Sequence, residues 1–179
     1  MDKATAVSLF PRLADRGFEI SSPIDRTYNC IAWAAGDTSR IWWPFKFGDQ
    51  QLGGVYWPTG NPTVALWNFE EAFASIGYEV CSNGDLEPGY EKVALYVDRN
   101  GTPRHAARQA GDGAWLSKLG PDIDIRHMDV DGVSGDRYGR PVRYMRRPTG
   151  NGKAAPEKHV ASRIADILPF GRRGKVAET

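Results

Sequence analysis

Cysteine is scarce in this chain: Cys30 and Cys81 are the only two among 179 residues. Two thiols far apart in sequence allow at most one bridge. That excludes a disulfide scaffold and points to reduced thiols in a reducing compartment. Long apolar runs are missing as well, and none approaches the roughly 18 residues that a membrane span requires. The opening stretch "MDKATAVSLFPRLADRG" carries charge early and has no long apolar core, which argues against a cleaved signal peptide. The expected location is cytoplasmic, or outside the cell by a non-classical route. An excess of one charge is also absent, with 23 Lys and Arg against 22 Asp and Glu. Nothing global therefore steers the chain toward nucleic acid or an anionic membrane. Histidine occurs three times, at His105, His127 and His159, so any reading that needs an imidazole has few candidates.

What is present suits one globular domain. Apolar residues make up 41% and charged residues 25%, enough for a core and outside the disordered range. Six tryptophans are many for this length, and Trp33, Trp42, Trp43 and Trp57 crowd near Cys30 in sequence. Residues 1–149 read as the domain. Residues 150–179 turn small and polar and read as a flexible or partner-docking tail, with one amphipathic stretch in "PEKHVASRIADIL".

Helix signals are concentrated in the first half. Pro11 opens a short helix that Gly17 closes. Thr27 is read as the N-cap of a two-turn helix in "TYNCIAWAAG", which puts Cys30 at its third position and Gly36 at its end. In "NPTVALWNFEEAFASIG" Asn61 caps and Pro62 opens, with Leu66, Phe69, Phe73 and Ile76 on one apolar face. Between these lies a long irregular stretch with two Trp-Pro steps and a Gly-Gly, the kind of loop that is often functional. Strands follow. "EKVALYVD", "TPRHAARQ" and "AWLSKLG" alternate and are joined by short turns, so they form an antiparallel meander, with a last pair expected around "IRHMD" and "PVRYMRR".

One constellation carries chemistry. A thiol near a helix start meets unpaired backbone N–H groups and the positive end of the helix dipole, which favour the thiolate. A thiol nucleophile then needs an imidazole base and a third group to orient that ring. Cys30 is the candidate nucleophile and His105, on the second strand, the candidate base. Asp122 and Asp124 are candidates to orient His105, with Ser117 a weaker one. Asn29 beside the thiol can donate to an oxyanion, as can the Cys30 backbone N–H. Trp33 and the loop from Trp42 to Trp57, including Trp43, are expected to line a substrate groove.

"YNCIAWAAG", "TPRHAARQ", "GAWLSKLG" and "DIRH" with "YGRPVRYMRR" resemble an uncharacterised bacterial family of small proteins, over about Pro11 to Arg147. The chain order of helix thiol, strand histidine and later acid resembles the papain-like superfamily in its compact NlpC/P60 and CHAP-type forms. That resemblance implies an α+β fold with N-terminal helices packed on an antiparallel sheet. It also implies a Cys30–His105–Asp124 triad acting on an amide without a cofactor or metal. The substrate would be a peptide, a peptidoglycan peptide or a protein, and hydrolysis, deamidation and transamidation would all use the same apparatus. The sequence departs from the superfamily pattern in lacking a glutamine upstream of the thiol and in placing Ile31 directly after it.

Three rival readings follow from the same residues. The fold can serve as a non-enzymatic protein-binding module. Asp122, Asp124, His127, Asp129 and Asp131 alternate as cation ligands would, although the glycine position and length of an EF-hand loop are missing. Arg137, Arg140, Arg143, Arg146 and Arg147, interleaved with Tyr138 and Tyr144, suit nucleic acid or simply a charged edge strand.

Overall fold

The computed structural model describes residues 1–44 and 55–150. Helices α1 (Lys3–Leu9) and α2 (Arg12–Arg16) lead into strand β1 (Phe18–Ile20), and α3 (Cys30–Ala35) follows. Two short parallel strands, β2 (Ile41–Trp42) and β3 (Val55–Tyr56), flank the undescribed stretch. Helix α4 (Leu66–Ala74) precedes β4 (Glu79–Cys81), β5 (Tyr90–Val97), β6 (Pro103–Gln109), β7 (Trp115–Lys118) and β8 (Asp124–His127). A 3-10 turn (Val130–Val133) leads to β9 (Arg140–Pro148). The seven longer strands make one antiparallel sheet in the order β1-β8-β7-β6-β5-β9-β4. The fold is therefore α+β, with N-terminal helices and a large antiparallel sheet.

Period-two alternation divides the core between the two faces of that sheet. From β5, Val93 and Leu95 join α3 and α4 in one cluster with Ile31, Ala34, Phe69, Phe73 and Met145. Ala94 and Tyr96 join α1, α2 and the 3-10 turn in the other, with Phe10, Leu13, Ile125 and Val133. The apolar face of α4 forms as its spacing predicts, with Phe69 and Phe73 buried and Leu66 and Ile76 packed against them.

Several expectations need correcting. Strands β8 and β9 do not pair with each other. β8 lies between β1 and β7, while β9 inserts between β5 and β4. Helix α3 is capped by Asn29, whose Oδ1 accepts from the Ala32 N–H at 3.1 Å, so Cys30 is the first helical residue. Thr27 is spent elsewhere, its N–H donating to Asp25. Helix α4 starts at Leu66, later than Pro62, because the Asn68 amide donates to the carbonyls of Asn61 and Thr63 and holds the lead-in open. Helix α1 was not anticipated, although Asp2, accepting from the Thr5 N–H at 2.8 Å, is an ordinary N-cap. Among the described residues no helix is long and apolar enough to cross a membrane. The tail and the middle of the aromatic loop lie outside the described residues.

Candidate functional site

The ladder between β6 and β7 holds over only two residue pairs, Arg108 with Leu116 and Gln109 with Trp115. Past these pairs the ladder ends, and α3 packs against both strands. The backbone N–H groups of Ala106, Cys30 and Ile31 favour the Cys30 thiolate. Burial outweighs these donors. Cys30 is 8% exposed, and desolvation pushes its thiol up to about 11 against the pull of the three N–H groups and of Lys118. A helix of six residues has little dipole to oppose that desolvation.

His105 follows the alternation of its strand. Ala106 belongs to the cluster that holds Cys30 and Ala107 to the opposite one, so His105 turns, with Ala107, toward the α1–α2 face. There it sits edge-on to Tyr96 and flat against Tyr138, whose ring centroid is 4.1 Å away. No hydrogen bond joins His105 to Cys30. A charge on the Cys30 thiol nevertheless reaches the Tyr138 phenol, which burial already holds above its ordinary range.

The His105 ring is fixed at one end and bare at the other. Its Nε2 lies 3.0 Å from Ser117 Oγ, and its Nδ1 is buried without a hydrogen-bond partner among the described residues. Ser117 Oγ in turn lies 2.9 Å from His127 Nε2, and His127 Nδ1 lies 2.7 Å from the Asp129 carbonyl. Ser117, His105 and His127 are all within 1% of full burial. Burial holds both imidazoles below their ordinary value, His105 far below it.

Neither acid expected to orient His105 reaches it. Asp124 is turned to Tyr28, ahead of α3, and to Lys118, accepting from Tyr28 Oη at 2.7 Å and from Lys118 Nζ at 3.4 Å. Lys118 is fully buried and also donates to the Asp122 carbonyl at 2.6 Å, with its ammonium over the Tyr28 ring. The Asp122 carboxylate is taken by the Met1 amine at 2.6 Å. Strand period explains the outcome. Ser117 and Lys118 are adjacent on β7, so one faces His105 and the other faces Cys30.

The residues expected to bind substrate are mostly committed to packing. Asn29 caps α3 and also pairs with Trp42, donating to its carbonyl and accepting from its N–H. Trp42 is buried and donates from Nε1 to Asp37. Trp43 and Trp57 lie against Phe69, and Trp57 donates to Asn68. Trp33 keeps a buried polar atom, Nε1, without a partner among the described residues. One face of its ring stacks on Tyr28, and the Arg108 guanidinium lies 4.8 Å from that ring.

The alternating acids gather no cation site. Among the described residues, no group of three His, Cys, Asp or Glu side chains could hold a metal. Three of the five arginines of the basic stretch are paired, Arg143 with Glu70, Arg146 with Glu79 and Glu87, and Arg147 with Glu91. Cys81 is half-buried, its thiol near the Asn83 carbonyl at the wall of a polar cleft that Lys92 and Arg146 also line.

Ser117 and His127 stand beside His105 in the structure, in a role the sequence pattern assigns to an acid. The signal was available, because "SKLG" and "DIRH" put a hydroxyl and an imidazole at strand positions that share the His105 face. No curated protein and no solved structure matches the chain. Residues 19–146, which include Cys30, His105, Ser117 and His127, match a family described as a domain of unknown function. The chain belongs to that family, DUF7689.

Proposed function

We propose that this domain is a cysteine-dependent amide hydrolase or acyltransferase of papain-like type: a peptidase, amidase or deamidase. In this reading Cys30 is the nucleophile, His105 the base, and Ser117 takes the ring-orienting place first given to Asp124. The observation that carries the reading is the bare Nδ1 of His105. A buried acceptor left unpaired costs about 1–3 kcal/mol, and a structural histidine gains nothing from it. A base held at Nε2 with Nδ1 left free to take a proton has a use for that cost.

The chemistry runs with neutral partners. Cys30 gives its proton to His105 Nδ1 as sulfur bonds to the amide carbon, and the carbonyl electron pair moves to oxygen. The resulting oxyanion is stabilised by backbone N–H groups such as those of Cys30 and Ala106. Collapse expels the amine, which takes the proton from His105 Nδ1, and leaves a thioester on Cys30. Water or a second amine then attacks the thioester, giving its proton to His105, and sulfur leaves as the restored thiol. Thiol and imidazole must come together for the first step, so substrate binding has to close the distance between them.

The non-enzymatic reading has one observation of its own, the burial of Cys30 with its thiol held neutral. A peptide carrying a thiol-directed electrophile at an amide position separates the two. Covalent addition to Cys30 in the wild-type protein, lost in His105→Ala, supports the enzyme. Labelling confined to Cys81 supports the binding module.

A further inference from the structure

We infer that His127, acting through Ser117, is a positioning residue that fixes the tautomer of His105 and so keeps Nδ1 free of a proton. The inference rests on the thiol-base reading for its purpose, but its geometry stands alone.

A backbone carbonyl can only accept, so the ring nitrogen 2.7 Å from the Asp129 carbonyl, His127 Nδ1, carries the hydrogen. The ring has no carboxylate in hydrogen-bond contact and is buried, so it stays neutral and its Nε2 is a bare acceptor. Ser117 has one O–H, which goes to that acceptor. The remaining lone pairs of Ser117 Oγ then face His105 Nε2 at 3.0 Å, and a contact between them requires the hydrogen on Nε2. A neutral His105 with its hydrogen on Nε2 has none on Nδ1, the atom that is buried and unpartnered.

Each link selects the next, and the two histidines end in opposite tautomers. His127 holds the one less favoured in free imidazole side chains, which only the Asp129 carbonyl explains. Without this ordering, Ser117 could equally donate to His105 Nε2 and leave the hydrogen on Nδ1, which could then accept no proton. Tyr96 and Tyr138 pack on the His105 ring and hydrogen-bond to neither of its nitrogens, so they hold the plane of the ring and not its proton.

Nitrogen-detected NMR of the full chain at pH 7.5 reads both tautomers directly. The expected result is His127 protonated on Nδ1 and His105 on Nε2, each as a single form. Two rings of the same tautomer, or a mixture at either ring, would overturn the inference. His127→Phe removes the acceptor for Ser117 and should turn His105 into a mixture, while His127→Gln supplies an amide oxygen in its place and should restore the single form. A purely structural His127 would change the melting temperature in both variants and leave the His105 tautomer untouched. If either variant fails to fold, the wild-type spectrum still decides. Correct tautomers together with Cys30 reactivity that ignores His105 would leave the ordering in place and remove the hydrolase reading.

Discussion

Tyr138 lies flat on His105, with ring centroids 4.1 Å apart and planes within 5°. The next residue makes this possible. Gly139 has φ +74°, and a Cβ there would meet the Val97 carbonyl oxygen at 1.7 Å. Only glycine lets the turn press so closely on the end of β5. Gly139→Ala should therefore destabilise the fold by about 3 kcal/mol or more, since strain and backbone overlap act together. Chemical denaturation measures the loss. Tyr138→Ala should cost less but uncover the ring, and the His105 pKa, followed by NMR titration, should rise toward its ordinary value.

Stability should fall in acid, and the two buried imidazoles set where. Both have folded pKa values below the ordinary 6.5. Below about pH 6.5 the unfolded chain binds protons that the folded chain refuses, so stability is full above that pH and is lost as pH falls through it. Each histidine contributes a slope of at most about 1.4 kcal/mol per pH unit. Denaturation midpoints between pH 7.5 and 5 should show this decline. His127→Gln should make it shallower, and an unchanged slope would show that the rings are not held neutral.

Lys118 and Asp124 form a buried charge pair, with side-chain exposures of 0% and 2%. Removing one partner strands the other, so Lys118→Met and Asp124→Asn should each cost about 3 kcal/mol or more. The double variant should be more stable than the sum of the two losses predicts. None of these changes should alter the His105 NMR signals beyond small shifts, because Asp124 bonds to Tyr28 and Lys118 and not to His105. A large change in the His105 tautomer on Asp124→Asn would return that residue to the role first given to it.

The resting thiols should react in an order opposite to the one the sequence suggests. Helix position alone makes Cys30 the more reactive. Burial reverses this, with the Cys30 thiol up to about 11 and Cys81 half-exposed. Iodoacetamide at pH 7 should therefore modify Cys81 first in the absence of substrate, as read by peptide mass spectrometry. Faster labelling of Cys30 would mean that the resting site is open.

Much of the scaffold was legible because its signals are local. The alternation of Val93, Ala94, Leu95, Tyr96 and Val97 and the spacing of Phe69 and Phe73 each follow from a single periodicity. Strand pairing beyond neighbouring hairpins was not legible. The insertion of β9 between β5 and β4 depends on contacts across more than 40 residues, which no short window contains. In the candidate site, Cys30 at a helix start and His105 on a strand were readable as types. The face each occupies was not, because it depends on strand register, and one residue of register separates Ala106 from His105. Asp124 takes the orienting place in the triad that the papain-like resemblance implies, and Ser117 stands behind it as the weaker candidate. Ser117 shares a face with His105, and Asp124 does not.

The claim at the centre of this account is that His105 takes the proton of Cys30. The most direct test is the alkylation rate of Cys30 in a Cys81→Ser background, compared with the same background carrying His105→Asn, which keeps a polar side chain of similar length. The account predicts a fall of about tenfold or more at pH 7.5, equivalent to about 1.4 kcal/mol of activation, with the cooperative unfolding transition retained. An equal or faster rate in the His105→Asn protein would contradict it.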